Sequence, residues 1–125
     1  MVLEFYKEEN YCIIKMSGLT TSEQMFHAFD AAVSHIDYQK EMARIWDIRE
    51  ADLSRVTADS INSLAQYSLA FPKGVNDVKV AFVVKREMEL EMVTKFKSDA
   101  SKAKTPIQIV KSMDEAKKWI KESKE

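Results

Sequence analysis

Three cations and a run of carboxylates follow two apolar stretches: Asp47, Arg49, Glu50, Asp52 and Ser54 come after MARIW, and Lys85, Arg86 and Glu87 come after VKVAFVV. If those stretches are parallel strands, the polar residues share the edge at which open α/β sheets bind ligands. Arg and Lys beside a helix N-terminus hold anions well, and Thr57 is placed to cap such a helix. This gives a candidate binding set of Asp47, Arg49, Asp52, Ser54, Thr57, Lys85 and Arg86. The plainer reading is a solvated loop whose charges pair locally, each pair contributing about 0–1 kcal/mol. Asp47 beside Arg49 has the chemistry of a general base, yet nothing near it in sequence supplies a partner or a reason for a raised pKa. No catalytic residue is assigned.

A second candidate set is apolar. Met25, Phe71, Met88, Met92 and Phe96 are flexible or large groups at helical spacing. Met-rich surfaces adapt to varied apolar ligands, and the same stripe is also what a helix presents to an ordinary core. Trp46 and Trp119 read most simply as core aromatics.

Other chemistries find no support. Gly18 and Gly74 are the only glycines, so neither a dinucleotide fingerprint nor a phosphate-binding P-loop can be built. No G-x-S-x-G nucleophile elbow is present. His27 and His35 stand about 80° apart around an ideal helix, and Cys12 is the single cysteine, which leaves too few ligands for zinc. Cys12 sits beside Ile13 and Ile14 and reads as a small buried hydrophobe rather than a nucleophile. No metal and no cofactor are expected.

The elements that must position these residues follow from periodicity. Val2–Lys7 and Tyr11–Ser17 alternate across the polar Glu8-Glu9-Asn10 and predict a hairpin closed by Gly18. Thr20-Thr21-Ser22-Glu23 predicts a capping box, with Glu23 reaching back. The helix it starts carries Met25, Phe29, Ala32, Val33 and Ile36 on one stripe, with His27 and His35 facing water. Met42–Ile48 is the third strand, reached by a crossover long enough for parallel pairing. Thr57 opens the second helix, whose inner stripe is Ile61, Leu64, Ala65, Ser68 and Phe71, with Pro72 and Gly74 as its stop. Val78–Val84 is nearly all apolar and β-branched, as a strand buried on both faces would be. A third helix runs from Glu87 to about Lys104 with Met92, Phe96, Ala100 and Ala103 on one side. Pro106 precedes a short strand over Ile107–Val110, and Ser112-Met113-Asp114-Glu115 caps a last helix that turns Met113, Ala116, Trp119 and Ile120 inward.

The order is β-β-α-β-α-β-α-β-α. It predicts one α/β domain over 1–125, a mostly parallel five-stranded sheet with an antiparallel N-terminal strand and helices packed on it. The strand order stays open. A length of 125 residues suits one domain with a core of its own. The net charge of −1, with both signs interleaved, argues against nucleic acid and anionic membrane as partners. No apolar run reaches the roughly 20 residues of a transmembrane segment. The acidic, alternating N-terminus is unlike a signal peptide, so a cytoplasmic location is expected. Edge strands or apolar helix faces leave a homodimer open.

On these elements the chain resembles small bacterial STAS-like proteins, those akin to the sporulation anti-sigma-factor antagonist, and within them the branch grouped with CRAL-TRIO lipid-binding domains. The resemblance rests on LEFYKEENYCIIKMSG, IWDIREADLS, VKVAFVV and IVKSMDEAKKWI, which together span most of the chain. It implies a non-catalytic interaction or regulatory module that docks a protein partner at the loop after the third strand and the following helix. The CRAL-TRIO side implies, as the alternative, a module for a small apolar or acyl ligand; an enzyme acting on an anionic metabolite is a third option. In anti-sigma antagonists a Ser or Thr at the start of that helix, within an Asp-Ser-Gly pattern, is phosphorylated by a partner kinase. Here Ser54-Arg55-Val56-Thr57-Ala58-Asp59-Ser60 stands without that pattern, with Thr57 in the analogous place. A phosphate at a helix N-terminus would be favourable, but Thr57 reads first as a cap.

Overall fold

The structure, a computed structural model, describes residues 1–71, 75, 77–101 and 105–122. Among the described residues the elements are, in order, β1 (Val2–Tyr6), β2 (Tyr11–Leu19), α1 (Ser22–Val33), β3 (Ala43–Asp52), α2 (Ala58–Leu69), β4 (Val80–Val83), α3 (Glu87–Asp99), β5 (Ile107–Val110) and α4 (Met113–Lys121). The order is the one the periodicity predicts. The strands lie side by side as β1-β2-β3-β4-β5; β1 runs antiparallel to β2, and every other neighbouring pair is parallel.

That sequential order decides where the helices go. Crossovers of one hand that step in one direction across a sheet put their helices on one face. Accordingly Phe29 of α1, Ile61 and Ala65 of α2 and Val93 of α3 share a core with Ile14, Trp46, Ile48, Val80, Phe82 and Ile107 of the sheet. α4 covers the opposite face, where Ala116, Met113 and Trp119 meet Ile13, Ile45, Ala81 and Val83. Alternation along each strand sorts the side chains between the layers. β4 is buried at every position because it lies between both layers.

Several boundaries differ from the sequence expectation. β2 continues past Gly18 to Leu19, with Gly18 paired to Ala51 at a φ of 71° that suits a residue lacking Cβ. β3 continues past Ile48 to Asp52, so Arg49 and Glu50 belong to a strand and not to a loop. Polar residues alone therefore failed to mark its end; pairing with the extended β2 carries it on. The register between β2 and β3 shifts between Lys15 and Ser17 and inserts one extra residue on β3. Beyond that bulge Ala51 and Leu53 join the same core as Trp46 and Ile48.

In α1 the cap is Thr21, and Gln24 rather than Glu23 sends its side chain back to the cap N–H. α1 stops at Val33, and the His35 N–H bonds back to Ala32 while the Tyr38 N–H bonds back to His35. Ile36 falls in this turn and is 93% exposed instead of joining the inner stripe. His27 and His35 are exposed, as their position off the stripe predicts. β4 is shorter than the apolar run Val78–Val84, although Val78 and Val84 are buried beside it. α3 ends at Asp99, before Lys104. The expected stop at Pro72 and Gly74, and Ala103 on the α3 stripe, lie outside the described residues. Ser112 caps α4 by accepting from the Glu115 N–H, and the Glu115 carboxylate accepts in turn from the Ser112 hydroxyl. Lys79 closes the other end of α4 by donating to the Trp119 and Glu122 carbonyls at 2.8 and 2.7 Å.

Candidate functional site

The charged edge resolves into local pairs. Asp47 is buried on β3, and Arg49, two residues on, grips it with Nε on Oδ1 and a second nitrogen on Oδ2, both at 2.9 Å. This two-point contact is the strong geometry for a guanidinium on a carboxylate. It holds the Asp47 carboxyl below the usual carboxylate range, the Arg49 hydrogen bonds being the main cause. By alternation with Ile45 the pair faces the α4 side of the sheet. Asp52 accepts from the Ser54 N–H at 3.0 Å, and its pKa is lowered by the Ser54 side chain first and by this backbone bond second. Thr57 caps α2 and exchanges bonds with Ser60: its Oγ1 accepts from the Ser60 N–H at 3.2 Å, and the Ser60 hydroxyl accepts from the Thr57 N–H at 3.0 Å. Lys85 lies 3.7 Å from Glu50.

Arg86 is tied down through a residue that the sequence reading passed over. Glu89 is 1% exposed at the third position of α3. Its carboxylate accepts from the Lys85 and Arg86 N–H groups and pairs with the Arg86 guanidinium, which also donates to the Ala51 carbonyl. The positive end of α3 is thus satisfied from within the chain. Of the polar and charged candidates, Asp52, Ser54, Thr57, Lys85 and Arg86 share the carboxyl edge of the sheet, while Asp47 and Arg49 pair away from it. A Glu three residues after a helix start is a capping signature, and that spacing was the available clue to Glu89.

Of the apolar candidates Met25, Met92 and Phe96 converge, and Phe71 and Met88 do not. A partly enclosed cavity of about 80 Å³ lies between the sheet and the helices α2 and α3, with a contribution from α1. Met25, Trp46, Phe82, Met92 and Phe96 line it. Phe82 sits edge-on to Phe96 with centroids 5.8 Å apart and stacks over Trp46 at 6.2 Å. Phe71 packs edge-on against Phe29 beside the cavity rather than on its wall. Met88 is not part of it: the buried positions of α3 are Glu89 and Val93, and Met88, in the first turn, is left 47% exposed.

Among the described residues, one charged residue lines this space. Arg44, the second residue of β3, is 3% exposed. Its neighbours in register are Cys12 and Val80. Its guanidinium donates to the Tyr38 hydroxyl at 3.1 Å and lies 5.1 Å from the centre of the Phe29 ring. Its Nε has no hydrogen-bond partner. Beside it, burial pushes the Cys12 thiol up to about 12, against the opposing pull of the Arg44 charge. Arg44 is not among the residues singled out from the sequence. The usable signal was a permanent cation within the otherwise apolar MARIW, in a strand that lies between two layers.

No family model and no curated protein matches the chain. A solved structure does: that of an uncharacterized protein of the DUF3478 family with a SpoIIAA-like fold, from Shewanella loihica PV-4. It is 18% identical, and the match covers 95% of this chain and 90% of that one with a TM-score of 0.60. The fold is SpoIIAA-like. The likeness is one of fold, and it agrees with the element order. Among the described residues no helix is long and apolar enough to cross a membrane. Nor does any group of three His, Cys, Asp or Glu among them stand close enough to hold a metal ion.

Proposed function

We propose that this protein is a non-catalytic, cytoplasmic STAS-like module that binds a small apolar ligand between its sheet and helices α2 and α3. The observation that carries this reading is the cavity itself: Met25, Met92 and Phe96, picked out by their type and spacing, meet on its wall. Interiors are normally packed with few voids larger than a water molecule, and small apolar cavities take up apolar guests. Flexible Met25 and Met92 side chains let the wall adapt. The test is methyl NMR on the methionines during addition of xenon. Shifts confined to Met25 and Met92, with Met88 and the remaining methionines unmoved, are expected. Unmoved Met25 and Met92 signals at saturating xenon would overturn the reading.

Partner docking at the carboxyl edge is the second reading. It is favoured by Leu19 and Met88, which are exposed at that edge beside Lys85 and Arg86. Exchanging Lys85 for Glu leaves the Arg86–Glu89 contact in place and reverses the sign of an exposed residue. A partner recovered by the wild type from its native lysate should then be lost. Equal recovery removes this surface from consideration.

A further inference from the structure

We propose that Arg44 is the anion-binding group of the cavity and that the ligand is a small apolar monocarboxylic acid, held with its carboxylate on the guanidinium and its hydrocarbon part among Trp46, Phe82 and Met92. The proposal rests on the cavity reading above and specifies the ligand class.

A guanidinium keeps its charge in proteins and has donors but no acceptor. A buried charge is costly unless it is paired and hydrogen-bonded. Arg44 meets neither condition fully. Among the described residues no carboxylate lies within ion-pair distance of it. The phenol of Tyr38 accepts one of its hydrogen bonds, the ring of Phe29 offers a cation–π contact, and Nε has no partner. A carboxylate is the group whose two oxygens match the guanidinium fork, and Nε is one arm of that fork. The contrast with Arg49 and Arg86 is informative, since each of those has a carboxylate of its own.

The rest of the wall sets what may be attached to the carboxylate. It is mainly apolar and aromatic, with Tyr67, Ser68 and Thr105 adding polar groups, so a second charge would be left unpaired. The volume of about 80 Å³ is roughly half of the ~150 Å³ in which an engineered core cavity accepts benzene. By that proportion the smallest such acids fill the space as it stands, and a five-carbon acid requires Met25 and Met92 to change rotamer.

Isovalerate is a suitable probe, with its neutral isostere isovaleramide, inorganic phosphate and xenon as comparisons. Binding is read by calorimetry and by the methyl signals of Met25 and Met92. Isovalerate should bind at least 10-fold more tightly than the amide and than phosphate. Arg44→Met should weaken isovalerate at least 10-fold while xenon still enters. Arg44→Lys, which keeps a charge without the fork, should fall between and guards against a misfolded Met variant. Equal binding of acid and amide, or unchanged isovalerate binding in Arg44→Met and Arg44→Lys, overturns the proposal. If xenon enters and acids show no preference, the cavity reading stands and the acid assignment falls. If neither xenon nor acid enters, both fall.

Discussion

Glu89 offers the sharpest test of how the carboxyl edge is built. Replacing it with Ala removes a carboxylate that accepts from two backbone N–H groups and pairs with Arg86. Two of the orphan donors at the start of α3 then lose their partner, and loss of an N-terminal cap costs about 1 kcal/mol. The hydrogen bonds here go to a charged acceptor that is 1% exposed, and such bonds contribute about 1.5–3 kcal/mol each in favourable cases. Arg86 is 54% exposed along its side chain and can be rehydrated, so its share must be discounted. A net loss of about 2–4 kcal/mol follows. For a domain of this size 1 kcal/mol moves Tm by about 3–5 °C, so a drop of roughly 6–20 °C is expected in calorimetry. Glu89→Gln keeps the shape and one acceptor oxygen and should lose about half as much. Arg86→Ala and the double variant complete a cycle whose coupling should be about 1 kcal/mol. A Glu89→Ala protein within 2 °C of wild type would show that α3 does not depend on this carboxylate, and the account of the edge would be wrong.

Two further outcomes follow from the buried groups of β2 and β3. Because Arg49 holds the Asp47 carboxyl below its ordinary value, the pair stabilises the fold above the unfolded carboxylate pKa, and that stability is lost as pH falls through the folded one. Urea titrations of wild type and Asp47→Asn should therefore differ by about 1 kcal/mol at pH 7, allowing for the exposure of Arg49, and converge toward pH 3; a gap that does not change with pH would show that the charge of Asp47 is irrelevant. Cys12 is fully buried with its thiol pushed up to about 12, so a water-soluble disulfide reagent at pH 8 should label it only as fast as the protein opens. Rapid stoichiometric labelling of the native protein would contradict that placement.

The element order was legible because each strand and helix carries its own period, and capping residues such as Thr57 and Ser112 are local signals. What could not be read from local pattern was anything set by a neighbour in space. The end of β3 is fixed by its pairing with β2 through Leu19 and Asp52, whereas the sequence there turns polar at Asp47. Ile36 fits the helical stripe of α1, yet the chain must turn back toward β3, and the helix ends first. Met88 has the right residue type and lies one turn before Met92, about 40° away around α3, yet at the second position of the helix it is left at the exposed end, beyond the cavity. Glu89 and Arg44 were passed over for the same reason. A charge in an amphipathic stretch reads as solvent-facing until the layer that covers it is known.

The disposition of charge separates the two readings of function. At the carboxyl edge, where ligands of α/β sheets usually sit, Arg86, Asp52 and Thr57 are engaged within the chain. Arg86 meets Glu89, Asp52 holds the Ser54 N–H, and Thr57 and Ser60 close the start of α2. An incoming anion there would have to displace Glu89, which is already the better-placed carboxylate. Inside the fold the balance is reversed. Arg44 sits near the amino end of β3, buried from solvent, with an unpartnered Nε and an apolar cavity on the same side of the sheet. Leaving a guanidinium in such a place costs stability that Leu or Met at the same position would not. That cost has a physical return if an apolar acid completes the site. The same reasoning makes the Arg44→Met variant informative even before any ligand is added: the substitution should raise the stability of the ligand-free protein while it abolishes the preference for acids.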